Sequence, residues 1–375
     1  MIQILLIVFL LTGLFLLQSK LYQFRWNHAL NVKISFLSSE IYEKEVGTLQ
    51  VVVENAKKLP LPMLMVKFQT DKHLEFEGGK NGVTTDQFYH NDIFHVGSGE
   101  RVIRNLSFLG KRRGYFRINN IDMSATDLFM YAQFFGSFKP KEDGIYVLPR
   151  PYESKDFQLM LQQLNGQMIT KRNLYEDPFE LRGIREYQPY DDMRSINWKA
   201  TAKTGSFMVN QKNYTAPKTV RIFLNLEDER ILKKEECLED CIRIGSGLAK
   251  YLLEQGVKVS FYCNAPDILT GDPMMKAVGS GKNQMSAIMR SLARLDTGKQ
   301  AIPFAKLFQK KILSPAENAY TCFISPNDDR EYLDLLRRFS ELGESFTWFF
   351  PQTAGLNPET FPFAIRKNIR ILRMF

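Results

Sequence analysis

Hydrophobic positions change rhythm three times along this chain. Residues 1–17, MIQILLIVFLLTGLFLL, carry no charged side chain, and at about 1.5 Å rise per residue such a run is just long enough to cross a ~30 Å hydrocarbon core. A cleaved leader needs a positive region before its apolar run and a small-residue cleavage site after it, and QSKLY at 18–22 supplies neither. Residues 1–18 are therefore expected to be an uncleaved transmembrane anchor. Lys20 and Arg25 follow the run and only the α-amino group precedes it, so the positive-inside rule favours the cytoplasmic side of an inner membrane for the remainder of a single-pass chain, with an exported domain tethered by a signal anchor as the alternative.

Between residues 30 and 150 the rhythm becomes two. Val32, Ile34 and Phe36 alternate with polar neighbours, as do Leu49, Val51 and Val53, and Leu64, Val66 and Phe68. Turn formers such as Gly78-Gly79, Asn81-Gly82 and Gly97-Ser98-Gly99 separate these runs, which predicts a β-sandwich domain. Pro149-Arg150-Pro151 then breaks the pattern. Residues 151–217 read as a connecting segment with a short helix over 155–164 and a polar stretch thereafter.

From residue 218 to 375 the rhythm alternates between buried strand and amphipathic helix. Residues 220–224, VRIFL, are a short apolar run, and Leu238, Cys241, Ile242, Gly245, Leu248, Ala249 and Leu252 recur at spacings of three and four on one helical face. Gly256 supplies a C-terminal cap and 257–262 the next strand, a βαβ unit. The pattern repeats with a strand at 320–324, Ser325 and Asn327 as N-caps, a helix bearing Leu333, Leu336 and Phe339, a cap at Gly343 and a strand at 345–349. The fold class is thus α+β and multi-domain, ending in a three-layer α/β domain with a mostly parallel sheet.

Composition agrees with folded domains and narrows the partners. The chain is 44% hydrophobic with 29 Phe, enough for well-filled cores. Its formal charge of +9 raises nucleic acid as a partner, but the densest basic run, Lys111-Arg112-Arg113, is short and other Lys and Arg interleave with Asp and Glu. No nucleic acid is expected, and the charge reads as a membrane-side bias. Four cysteines, Cys237, Cys241, Cys263 and Cys322, lack the spacing of a zinc or redox site, which fits a reducing compartment.

Catalytic signatures are sparse. There is no GxSxG, HExxH or GxxxxGK[ST], and 279–282, GSGK, lacks the residues that would complete a phosphate loop. His90 and His95 fall in a region read as a loop, without a ligand spacing. The chain reads as non-catalytic, with no cofactor.

Chemistry concentrates at 183–205, GIREYQPYDDMRSINWKATAKTG. Arg185, Arg194 and Lys199 alternate with Glu186, Asp191 and Asp192, so Arg–carboxylate pairs can pin an irregular loop. Tyr187, Trp198 and Arg194 are also the residue types that carry most interface energy, which makes the stretch a candidate protein anchor. Both readings stand on the residues alone. So does an alternative in which Arg185, Arg194 and Lys199 hold an anion and Asp191 or Asp192 acts as base, an anion-binding module or an unrecognised enzyme.

This stretch resembles the signature of the bacterial and archaeal family called domain of unknown function 58, close to R-E-Y-x-P-G-D-D-x-R-x-I-x-W-K-x-[ST]-A-[KR]-x-G. Arg185, Glu186, Tyr187, Pro189, Asp191, Asp192, Arg194, Ile196, Trp198, Lys199, Ala202, Lys203 and Gly205 fall on it, Asn197 lies within it, and Tyr190 departs where the family usually has Gly. Asn55, Asp127-Leu128-Phe129 and Val147-Leu148-Pro149 resemble family landmarks upstream. The resemblance implies a C-terminal domain similar to von Willebrand factor A-type domains, whose DxSxS run binds a divalent metal. Here Asn225 replaces the first Asp, and Glu227 and Glu229 are too long for a site built on short oxygen ligands, so no metal is expected, although SPNDD at 325–329 still offers oxygens. The resemblance further implies a membrane-bound adaptor or scaffold working with a MoxR-type AAA+ ATPase in protein maturation or envelope stress.

Overall fold

The computed structural model describes residues 2–77, 82–84, 87–138, 144–170, 176–189, 191–214, 219–227, 235–314, 319–344, 346–352, 361 and 363–373. The chain divides into two compact units, Met1–Pro149 and Arg150–Phe375.

The first unit begins with helix α1 (Ile2–Arg25), long and apolar enough to cross a membrane. The helix outruns the expected anchor because its last turns have another partner. Tyr22 and the adjoining Trp26 are buried in the sandwich core, and the Tyr22 hydroxyl donates to the Pro60 carbonyl at 2.9 Å. A Cβ at Gly136 would stand 3.0 Å from the Trp26 ring, so only glycine lets that ring lie so close to the backbone.

Strands β1 (Leu30–Phe36), β2 (Glu40–Tyr42), β3 (Val46–Asn55), β4 (Leu61–Asp71), β5 (Leu74–Phe76), β6 (Gly82–Thr84), β7 (Gln87–Val96), β8 (Arg101–Gly110), β9 (Gly114–Arg117), β10 (Ile121–Thr126), β11 (Gln133–Phe138) and β12 (Gly144–Leu148) follow. Among the described residues they pair as β1-β3-β8-β5, β11-β10-β4-β7-β6 and β2-β12-β9, antiparallel but for β2 with β12. Alternate residues of β3 and β4 (Leu49, Val51, Val53; Leu64, Val66, Phe68) enter one core with Val32 and Ile34 of β1, the outcome expected when every second side chain of a strand faces inward. Asn55 closes the far end, donating from Nδ2 to the carbonyls of Leu59 and Gly97. His90 and His95 lie in β7 and not in a loop. His90 is buried there, with Nε2 3.1 Å from Asp92 Oδ2. Arg113 of the basic run is also buried, and its N–H donates to Glu43.

The second unit opens with α2 (Lys155–Thr170), followed by β13 (Glu176–Glu186), a 3-10 turn at Met193–Ser195, α3 (Trp198–Thr204) and β14 (Met208–Tyr214), with β13 and β14 antiparallel. Then come β15 (Thr219–Leu224), α4 (Glu235–Glu254), β16 (Lys258–Pro266), β17 (Pro273–Gly279), α5 (Gly281–Ala293), α6 (Phe304–Leu313), β18 (Ala319–Ile324), α7 (Arg330–Glu341), β19 (Phe346–Gln352), α8 (Phe363–Arg366) and β20 (Ile369–Arg373). The described strands form a mixed sheet in the order β17-β16-β15-β18-β19-β20, parallel except at the β17 edge. Phe223, Tyr262 and Phe323 face α6 and α7 in one aromatic core, whereas Phe261 and Ile324, one position along their strands, face Gly245 of α4. Helices therefore cover both faces of the sheet. Phe157 of α2 is buried, with its ring 6.0 Å from Phe349 and against Gly247 of α4, so part of the stretch read as a connector belongs to this unit.

The start of α7 differs from the expected one. Ser325 and Asn327 cap a turn, receiving the N–H groups of Asn327 and Asp329, and the helix begins only after Asp329. A polar side chain that bonds two residues ahead stops the chain from entering a helix at that point.

Candidate functional site

The stretch at 183–205 folds into a knuckle between β13 and β14 pinned by one charged pair and a set of caps. Arg185 Nη1 and Nη2 donate to Asp191 Oδ2 and Oδ1, each at 2.6 Å, and Asp191 Oδ2 also receives the Gln188 N–H at 2.8 Å. The bond to Arg185 is the main cause that holds the Asp191 carboxyl below its ordinary range. Asp192 caps the 3-10 turn through the Arg194 N–H, and the Ser195 hydroxyl donates to the Asp192 carbonyl. Asn197 starts α3 by accepting the Ala200 N–H, while its Nδ2 donates to Asn210 of β14 at 2.7 Å. Gly205, at φ 76°, ends the helix in the left-handed conformation that favours glycine. Thr201 Oγ1 then accepts the Met208 N–H, and the Asn197 N–H donates to the Met208 carbonyl, tying the helix to the strand.

With Arg185, Asp191, Asp192 and Asn197 bonded within the knuckle, apolar side chains stand outward on it. Trp198 is 66% exposed and Met193 72%, with Phe207 and Ile184 also exposed. The Trp198 ring stands 6.4 Å from that of Phe207, and the ring of Tyr187, which is half-buried, 6.3 Å from it. Glu186, Pro189, Arg194 and Lys199 are exposed around them. Phe207, Ile184 and Met193 were not singled out from the sequence; Ile184 and Met193 lie within the motif and Phe207 two residues beyond it, apolar side chains that local spacing alone would have assigned to a core. Tyr190 lies outside the described residues.

A second candidate lies where the strand order of the sheet reverses, at the C-terminal ends of β15 and β18, the place where open α/β sheets bind ligands. Asn225 is fully buried there. Its Oδ1 accepts from Asn264 Nδ2 and from the Glu227 N–H, each at 3.0 Å, while Asn264 Oδ1 accepts the Leu226 N–H and its Nδ2 reaches the Ile302 carbonyl. Glu227 bonds the Phe304 N–H at the start of α6, where a helix N-terminus favours a carboxylate. Amide groups thus bond one another at the end of β15, and Glu227 is turned to a helix end. Glu229 lies outside the described residues. No three His, Cys, Asp or Glu side chains converge among the described residues. All four cysteines are buried, and burial pushes the thiol of Cys241 well above its usual range.

Comparisons with known proteins bear on family more than on function. No curated protein matches the chain. Among solved structures it is similar to the CARDB domain of the PF1109 protein of Pyrococcus furiosus, solved with di-metal ions, at 10% identity over 32% of this chain and 89% of that one, with a TM-score of 0.19. It is also similar to Spo0M, a sporulation control protein of Bacillus subtilis, at 14% identity over 43% of this chain and 58% of that one, with a TM-score of 0.19. A non-cellulosomal cohesin of Archaeoglobus fulgidus matches at 16% identity over 29% of this chain and 91% of that one, again with a TM-score of 0.19. At such values none of the three bears on what this chain does. The family model described as "Protein of unknown function DUF58" matches residues 183–303, from the knuckle to the residue before α6, and that match supports the DUF58 family for this segment.

Proposed function

We propose that this protein is a non-catalytic membrane adaptor, anchored in an inner membrane by α1 with its remaining residues in the cytoplasm, and that the knuckle is its docking surface for a protein partner. One observation carries the reading. Trp198 and Phe207 are both exposed with their rings 6.4 Å apart, and Met193 and Ile184 of the same knuckle are exposed as well, on a scaffold fixed by Arg185, Asp191 and Asn197. Exposed aromatic side chains on a rigid support are the usual anchors of protein interfaces, because little ordering is left to oppose binding. The anion-binding alternative is weaker, since Arg185 and Asp191 occupy one another and the depressed Asp191 carboxyl is a poor base near neutrality.

The strand order of the second unit, with an antiparallel edge strand, supports a von Willebrand factor A-like reading in which the metal position has become an amide network around Asn225. Family resemblance makes a MoxR-type AAA+ ATPase the expected partner. Affinity capture of the tagged full-length protein from detergent-solubilised native membranes, with and without a non-hydrolysable ATP analogue, tests both ideas. Recovery of such an ATPase, lost when Trp198→Ala and Phe207→Ser are combined in a still-folded protein, is the expected result. If the ATPase co-purifies equally well with that variant, the knuckle is not the docking surface.

A further inference from the structure

The turn joining β10 to β11 carries Leu128, Phe129, Met130 and Tyr131, four successive large side chains that are 50%, 60%, 59% and 79% exposed. Such a run in water is unfavourable, and contiguous exposed apolar patches mark contact surfaces. The backbone beneath is built to hold it out. Asp127 Oδ1 accepts the Tyr131 N–H at 2.8 Å, the Asp127 carbonyl accepts the Met130 N–H, and the Asp127 N–H donates to Ala132. Met130 sits at φ 57°, a left-handed conformation that a side-chain-bearing residue adopts only where its surroundings impose it.

The tip lies against the anchor helix. The Phe15 ring is 5.7 Å from Phe129 and 5.3 Å from Tyr131, and one turn further Gln18 Nε2 donates to Asp127 Oδ2 at 2.9 Å. Phe15 belongs to the uncharged part of α1, before the first charged side chain, Lys20. A bilayer that accepts α1 to the end of its apolar run therefore reaches the level of the tip. Asp127 is fully buried, so its carboxylate faces α1 and the turn backbone, leaving only apolar and aromatic groups to meet lipid. Aromatic rings with a polar edge, such as Tyr131, are enriched at that depth.

We propose that residues 128–131 form a second membrane contact, a hairpin tip inserted into the interfacial layer of the leaflet from which α1 emerges. The occupant is phospholipid, because the patch is continuous with the lipid-facing surface of α1. The proposal rests on α1 crossing the membrane and is independent of any partner at the knuckle.

The test uses full-length protein reconstituted into vesicles of phosphatidylcholine and phosphatidylglycerol, with an environment-sensitive fluorophore on one introduced thiol at a time. The variants are Phe129→Cys at the tip, Leu5→Cys within α1 and Lys33→Cys on the exposed face of β1, read against unsubstituted protein, whose own cysteines are buried. The label at position 129 is expected to be quenched by a nitroxide on the upper acyl chain and to be several-fold less accessible to aqueous iodide than the label at position 33. If the label at position 5 is lipid-quenched while that at 129 meets iodide as freely as that at 33, the tip proposal is overturned and the anchor stands. If the label at position 5 is itself open to iodide, the anchor reading falls and the tip proposal with it. Pyrene excimers between labels at position 129 without lipid quenching would assign the patch to a second copy of the chain and also overturn the proposal.

Discussion

Arg185 grips Asp191 with two hydrogen bonds of 2.6 Å, one from each terminal guanidinium nitrogen to each carboxylate oxygen. Lysine has one nitrogen and cannot reproduce the fork. In Arg185→Lys the loop at 187–192 is expected to become more open to limited proteolysis, with the sandwich unaffected.

The same pair fixes a pH dependence. Asp191 titrates below its ordinary range in the folded protein, so the unfolded chain holds the proton more tightly. The stabilisation is present above the ordinary carboxylate range and is lost as pH falls through the lower folded value. A carboxyl-carbon NMR titration should place the Asp191 midpoint below that of a free aspartate, and Arg185→Lys should move it upward. An Asp191 midpoint at the ordinary value would refute the pairing.

Asn197 caps α3 and also reaches Asn210. Asn197→Ala is expected to cost about 1–2 kcal/mol in chemical denaturation of the second unit, and Asn197→Asp less, because aspartate keeps the cap and loses only the amide donor. Equal losses would show that the Asn210 contact matters more than the cap.

These features were unevenly legible in the sequence. Period-two runs such as Leu49, Val51 and Val53 disclosed the sandwich, and the spacing of Leu238, Cys241, Ile242 and Leu252 disclosed α4, because a single buried face imposes a strong local rhythm. The pairing of Arg185 was not legible. Glu186, Asp191 and Asp192 are all close in sequence, and only the turn at 187–189 selects one of them. The start of α7 was misread for a related reason, since Ser325 and Asn327 cap a turn as readily as a helix. Trp26 gave no signal of its own, because its pocket is assembled by Gly136, far along the chain.

A Cβ at Gly47 would lie 2.4 Å from Cζ of Phe108, a ring with no exposed surface and nowhere to move. Gly47→Ala should therefore lower the stability of the first unit by about 1–3 kcal/mol, the usual cost of overpacking a core. Adding Phe108→Leu should recover part of the loss relative to Phe108→Leu alone, and strict additivity of the two changes would refute the clash.

Burial lowers the pKa of Lys57 to about 8, with its ammonium donating to Asn55 Oδ1 at 2.7 Å. Folding disfavours the charged form here, so between about 8 and the ordinary value of 10.5 the unfolded chain holds more protons. Stability should rise with pH across that window. Melting temperatures of the parent and of Lys57→Met, compared from pH 7 upward, should converge as the lysine loses its proton; a constant difference would show that Lys57 titrates normally.

Asn225→Asp places a carboxylate inside a neutral, fully buried amide network. A loss of roughly 2–5 kcal/mol is expected in thermal or chemical denaturation at neutral pH. Added magnesium should leave that loss unchanged, because Glu227 remains committed to the start of α6. Recovery on adding the ion would show instead that these side chains can hold a cation.

Tyr22 and Trp26 make the last turns of α1 part of the sandwich core. With no slack between the two, the angle that the helix takes up in the lipid becomes the angle of the sandwich. A thinner bilayer makes an apolar helix lean. For an α1 seated in a bilayer as proposed, that lean would swing the β unit as a lever, and membrane thickness would act as a mechanical input to it.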